Sequence, residues 1–178
     1  MNLFQSTLIA AIFLFLFGTV LFLCPKFCRQ KILLFGRSKR ATYVTMSVAT
    51  TWFLHQITHL GKADFGDYKQ YIFVLFLGAA ILSFRFTPDF LSVRGLCGIY
   101  LQLASLFLSS AYMQAAQSRL FLVSFIYLGI VISIYLGAYP YRLRDFANTF
   151  MSHTINSRIL GLVAVIYGGI LFYNSFNY

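Results

Sequence analysis

The stretch that decides the fold is Phe84 to Leu96, reading F-R-F-T-P-D-F-L-S-V-R-G-L. It is a short charged turn between two apolar runs, Tyr71–Phe84 before it and Val93–Met113 after it. About 20 apolar residues match the thickness of a bilayer's hydrocarbon core; the second of these two runs has that length, and the first, short by itself, is expected to extend back through Tyr68. The turn itself reads as a helix start, with Thr87 at the N-cap, Pro88 at the first helical position and Asp89 in the first turn. Arg85 closes the preceding run by snorkelling towards the surface.

Working outward, the same grammar recurs. The 178 residues are 60% hydrophobic and only 10% charged, and the four acidic residues are all aspartate. Soluble domains carry about 25% charged residues, so the composition predicts an all-α, polytopic transmembrane helix bundle in a single domain, 1–178. Six crossings are expected, as three hairpins, at 3–24, 41–60, 68–86, 93–113, 120–139 and 159–176. No basic region precedes Leu3, so the first run is read as part of the mature protein rather than as a leader. Pro25, Pro88 and Pro140 each follow an odd-numbered run and precede basic residues. Lys26 to Arg40 is expected to be a basic loop whose apolar patch Ile32–Phe35 lies in the membrane interface. Residues 141–158 are expected to form an interfacial amphipathic helix, because Leu143, Phe146 and Phe150 share a face. Asp89-Phe90 and Asp145-Phe146 hint at a hairpin repeat, although topology alone produces much of that likeness.

Charge then orients the chain. Of the 14 Lys and Arg, all but Lys62, Lys69 and Arg119 fall after the first, third and fifth runs. The positive-inside bias places those turns in the cytoplasm and both termini outside. The net charge of +10 therefore meets anionic lipid heads rather than nucleic acid.

Several constellations bear on chemistry. Ser47, Thr51, His55 and His59 recur every four residues and form one stripe on a helix, expected to face other helices. His55 and His59, with Asp64 and Asp67, are the candidate metal ligands. The H-E-x-x-H zinc peptidase pattern needs a glutamate where Gln56 stands, so a hydrolase is disfavoured. A haem held within the chain is disfavoured as well, because His153 falls on the opposite side from the other two histidines. No G-x-S-x-G elbow occurs, and the acidic residues map to loops, which argues against both nucleophilic catalysis and proton-coupled transport. Cys24 and Cys28 are spaced C-x3-C, which fits neither a thioredoxin motif nor a zinc ribbon. Small and polar residues mark helix-packing faces: Gly98 and Gln102, then Gly129, Ser133 and Gly137, then Gly161 and Gly168. Arg85, Asp89, Arg94, Arg142, Arg144 and Asp145 read as topological anchors or as docking residues for a partner.

F-G-R-S-K-R (Phe35–Arg40), P-D-F-L-S-V-R-G-L (Pro88–Leu96) and P-Y-R-L-R-D (Pro140–Asp145) resemble blocks of an uncharacterised family of small multi-spanning bacterial inner-membrane proteins, over residues 30–150. The resemblance implies a location in the bacterial inner membrane and no activity. The expectation is a non-catalytic membrane subunit that packs within a larger complex. Its partners would be lipids and other integral membrane proteins, with lipid, pigment or quinone at the interfaces and no cofactor within the chain. The alternatives are a small transporter or channel lined by the Ser47–His59 stripe with Gln102 and Ser105, and an outer-side metal-binding protein.

Overall fold

The computed structural model describes residues 2–61, 65–86, 90–114 and 117–176. These form eight α-helices: α1 (Leu3–Leu23), α2 (Pro25–Arg37), α3 (Lys39–Thr58), α4 (Lys69–Phe86), α5 (Leu91–Ala111), α6 (Arg119–Ala138), α7 (Tyr141–Thr149) and α8 (Thr154–Ser175). A 3-10 turn, Gly66–Tyr68, leads into α4. Five of these helices are long and apolar enough to cross a membrane: α1, α4 with its 3-10 turn, α5, α6 and α8. At 20 residues α3 has the length, but its hydroxyl, amide and imidazole side chains keep it out of that set.

Three sequence expectations are corrected. The basic segment after Pro25 is a helix, not a loop: Pro25 occupies the first position of α2, where its missing N–H costs nothing. The amphipathic helix expected over 141–158 stops at Thr149, and Thr154–Arg158 belong instead to the start of the long α8. The helix expected to start at Pro88 starts at Leu91, with Phe90 as its N-cap; Thr87, Pro88 and Asp89 lie outside the described residues.

Contacts fix the helix directions. α1 and α8 run antiparallel, with Gly18 on Gly161 and Ala11 on Gly168. α3 and α4 are antiparallel, pairing Tyr43 with Phe84 and Phe53 with Phe76. α3 and α5 are parallel, since Thr45 meets Gly95 and Ala49 meets Gly98. α5 and α6 are antiparallel, because Tyr100 lies against Gly129 while Cys97 lies against Gly137. The first turns of α3, α5 and α8 therefore gather with the last turns of α1, α4 and α6. At that end α2 packs on α7, around Leu21, Cys28, Ile32, Leu33, Ala147 and Met151.

The interior is small and partly polar, and the exterior is hydrocarbon. Ser6, Thr7, Ser133, Ser157 and Ser175 are buried with Ala10, Ala11 and Ala104, while Phe13, Leu16, Leu128, Val131 and Ile166 are exposed. A soluble fold would reverse this; between helices in lipid, small residues allow close backbone approach and so more dispersion contact. The shared core of α1, α5, α6 and α8 holds Leu14, Leu122, Ile126 and Leu171. α4 contributes no buried residue and lies against α3.

Three described residues, Phe65 (φ 63°), Phe90 and Met113, hold the left-handed backbone that glycine adopts more readily. Phe90 (φ 56°) sets the start of α5, and its ring lies where a Cβ on Gly36 would come within 3.1 Å. Met113 (φ 54°) follows α5 with its side chain 83% exposed, so no packing offsets its backbone strain. Met113→Gly is expected to raise stability by about 1 kcal/mol, read from denaturation in detergent micelles.

A polar cleft between three helices as the candidate functional site

A cleft of about 510 Å³ lies between α3, α4 and α5. Its walls are mostly apolar, with Phe53, Phe76, Leu54 and Leu101, and it receives two long polar side chains from α5, Arg94 and Gln102. The spacing of α5 brings them there: Gly95 and Gly98 admit the α3 backbone, which turns the neighbouring positions into the cleft.

Gln102 is only 8% exposed. Its Nε2 donates to the Ala49 carbonyl at 3.0 Å and to the Gly98 carbonyl at 3.3 Å. Carbonyls only accept, so these two bonds fix the amide's orientation and leave Oε1 facing the other way. That oxygen is buried and has no hydrogen-bond partner among the described residues. The Nε of Arg94 is likewise buried and unpartnered among them. A buried acceptor or donor left unsatisfied costs about 1–3 kcal/mol, so the cleft holds two stored deficits of opposite kind. Among the described residues, no acidic side chain lines it.

A second cavity, of about 580 Å³, lies at the basic end, with Arg37, Lys39 and Arg144 over Tyr43, Phe84 and Phe90. Arg144 pairs with Asp145 at 3.2 Å, both half-exposed, and such a surface pair contributes little.

The sequence-predicted residues are scattered over several surfaces. Ser47, Thr51, His55 and His59 form the expected stripe, but all four are exposed. The face of α3 that packs on its neighbours carries Thr45, Ala49, Phe53 and Leu54 instead. The stripe therefore lines no common path with Gln102 and Ser105, which face the cleft. The two imidazoles stack with centroids 4.5 Å apart. His59 Nδ1 lies 2.9 Å from the His55 carbonyl and 3.1 Å from Thr58 Oγ1. A proton on Nδ1 satisfies the carbonyl and leaves Nε2 an acceptor. Among the described residues no three His, Cys or Asp side chains come together, so Asp67 does not complete a metal site with them; Asp64 lies outside the described residues.

The packing residues fall on three seams. Gly161 and Gly168 meet α1, Gly98 and Gln102 meet Ala49, and Gly129 receives the Tyr100 hydroxyl. Ser133 is buried and Gly137 lies against Cys97. Arg85 and Arg142 are exposed, whereas Arg94 turns into the cleft. Burial, and then the neighbouring Cys24, pushes the Cys28 thiol up, which makes it a poor nucleophile.

Sequence reasoning missed Gly18, Thr45 and Ala49. Ala11 and Gly18 are seven residues apart, which places small residues on one face of α1; that spacing was the available signal. No family model, curated protein or solved structure matches the chain.

Proposed function

We propose that the chain is a non-catalytic subunit of the bacterial inner membrane, crossing it six times and docking another integral membrane protein on the outward face of α3. The observation that carries this reading is the exposed stripe Ser47, Thr51, His55 and His59. Thr51 and Thr58 return their hydroxyls to their own helix at 2.8 and 2.7 Å, which limits their cost in lipid. The imidazoles have no such full solution, and a polar ring facing acyl chains is relieved by a neighbouring helix. The stacked pair Phe146, on α7, and Phe150, its C-cap, is half-exposed and extends the apolar surface at the basic end.

Six crossings are favoured by the direction of α3, which runs antiparallel to α4 and parallel to α5 as an even-numbered span requires. The basic residues gathered at the α2–α7 end favour a cytoplasmic position for that end and both termini outside. No cofactor is assigned within the chain; lipid, quinone or pigment belongs at the interfaces.

The test is a photo-crosslinking residue at position 51, in membranes of the native host, with position 13 as a control. A discrete adduct with a different membrane protein is expected from position 51, with lipid alone at position 13, and His55→Leu should lower the adduct yield several-fold. Lipid alone at both positions, or an adduct only with a second copy of the chain, sinks the proposal.

A further inference from the structure

We infer that the α3–α4–α5 cleft is a binding site for an acidic amphiphile carrying a mid-chain hydroxyl. The acid group sits on Arg94 and the hydroxyl donates to Gln102 Oε1. Two unmet needs in the cleft call for such a ligand. Arg94 brings a guanidinium with donors and no acceptor, and among the described residues its buried Nε has no partner and no acidic side chain lines the cleft. A carboxylate or phosphate supplies what it lacks. Gln102 has the opposite need: both its donors are already spent on carbonyls, so Oε1 takes only a hydroxyl or N–H.

Spacing sets the shape of the ligand. Eight residues of α5 separate the two groups, about 12 Å along the helix axis. Arg94 lies in the first turn of α5, at the end where the basic residues collect, and Gln102 lies near the middle of that helix. Between them the lining is Met46, Ala49, Ala80, Gly98 and Leu101, with Phe53 and Phe76 at the far side of Gln102. A molecule with its acid at the membrane surface, hydrocarbon below, and a hydroxyl part-way down matches that order of surfaces. An entrance is available on the side of α4, which buries no residue and rests on α3. The site faces away from the outward stripe of α3, so it stands or falls independently of the docking reading.

The test is native mass spectrometry of the full chain released from detergent, titrated with oleic acid and with ricinoleic acid, its mid-chain hydroxylated counterpart. Ricinoleic acid is expected to bind about fivefold more tightly, the worth of one neutral hydrogen bond. Arg94→Gln should weaken both acids about tenfold. Gln102→Leu should remove the preference while retaining oleic acid. Ala80→Phe fills the cleft from the loosely packed α4, and should abolish both without touching the α3–α5 contact. Dioleoyl phosphatidic acid forms the second arm; tighter binding with the same Arg94 dependence assigns the head to a lipid phosphate rather than a free carboxylate. Equal binding of the two fatty acids by the unaltered chain overturns the inference without recourse to any variant. So does binding that survives Ala80→Phe, or no binding in either arm.

Discussion

Gly161→Leu is expected to pull α8 away from α1 and to cost about 3 kcal/mol or more, the upper range for overpacking a close contact. A Cβ at position 161 would fall 2.7 Å from the Phe22 nitrogen and 2.8 Å from the Gly18 carbonyl oxygen. Both obstacles are backbone, so no rotamer change removes them and the helices must separate. The reciprocal position behaves alike, since a Cβ on Gly18 would meet the Gly161 carbonyl at 2.8 Å and the Val165 nitrogen at 2.9 Å. This seam holds the first and last long helices together, and Ala11, Leu14 and Leu171 of the shared core sit on it. The same helix contains its own control. A Cβ at position 169 would meet nothing within 4 Å among the described residues, so Gly169→Leu should be neutral or slightly stabilising by helix propensity. Unfolding in mixed micelles with increasing SDS, followed by helicity, reads both. Equal losses from the two substitutions would show that the seam is not what holds α8.

Much of this architecture is legible in the sequence, and the places where it is not have a common cause. Apolar run length and turn chemistry predict the long helices because both are local. Pro25 carries two local meanings, ending α1 and opening α2, and a single residue, Cys24, separates those helices. Reading it only as a stop turns an amphipathic helix into a loop. The stripe on α3 shows the deeper limit. Periodicity places Ser47, Thr51, His55 and His59 on one face, yet which face turns inward depends on the partner. Thr45 and Ala49 face Gly95 and Gly98 of α5, and the closer backbone approach they permit wins over hydrogen-bonding capacity that Thr51 satisfies on its own helix. The cleft lies beyond sequence for the same reason. Arg94 reads as a topological anchor or docking residue until α4 is placed across from it, and Gln102 reads as a packing residue until its two carbonyl partners are known.

Gly95→Leu is expected to release α3 from α5, again at about 3 kcal/mol, and with it to dismantle the cleft. A Cβ at position 95 would come within 2.8 Å of both the Met46 nitrogen and Thr45 Oγ1. Thr45 Oγ1 lies 2.8 Å from the Ala41 carbonyl and 3.2 Å from the Ser92 carbonyl, so the new side chain strikes the group that ties the two helices. Ser92 Oγ in turn donates to the Phe35 carbonyl at 3.0 Å, which links α5 to the end of α2. Displacing α3 therefore strains three helices at one point, the start of α5, where Leu91, Ser92 and Val93 are all buried. α4 follows, because its packing is on α3. A cysteine pair reports the geometry directly. The Ala49 Cβ lies 3.4 Å from a Cβ built on Gly98, close to the separation a disulfide needs. With Cys24, Cys28 and Cys97 replaced by serine, the Ala49→Cys, Gly98→Cys pair should crosslink under mild oxidation. Adding Gly95→Leu should suppress that crosslink several-fold and remove ricinoleic acid binding together. Undiminished crosslinking would mean that α3 tolerates the intrusion and that Gly95 is not what seats it.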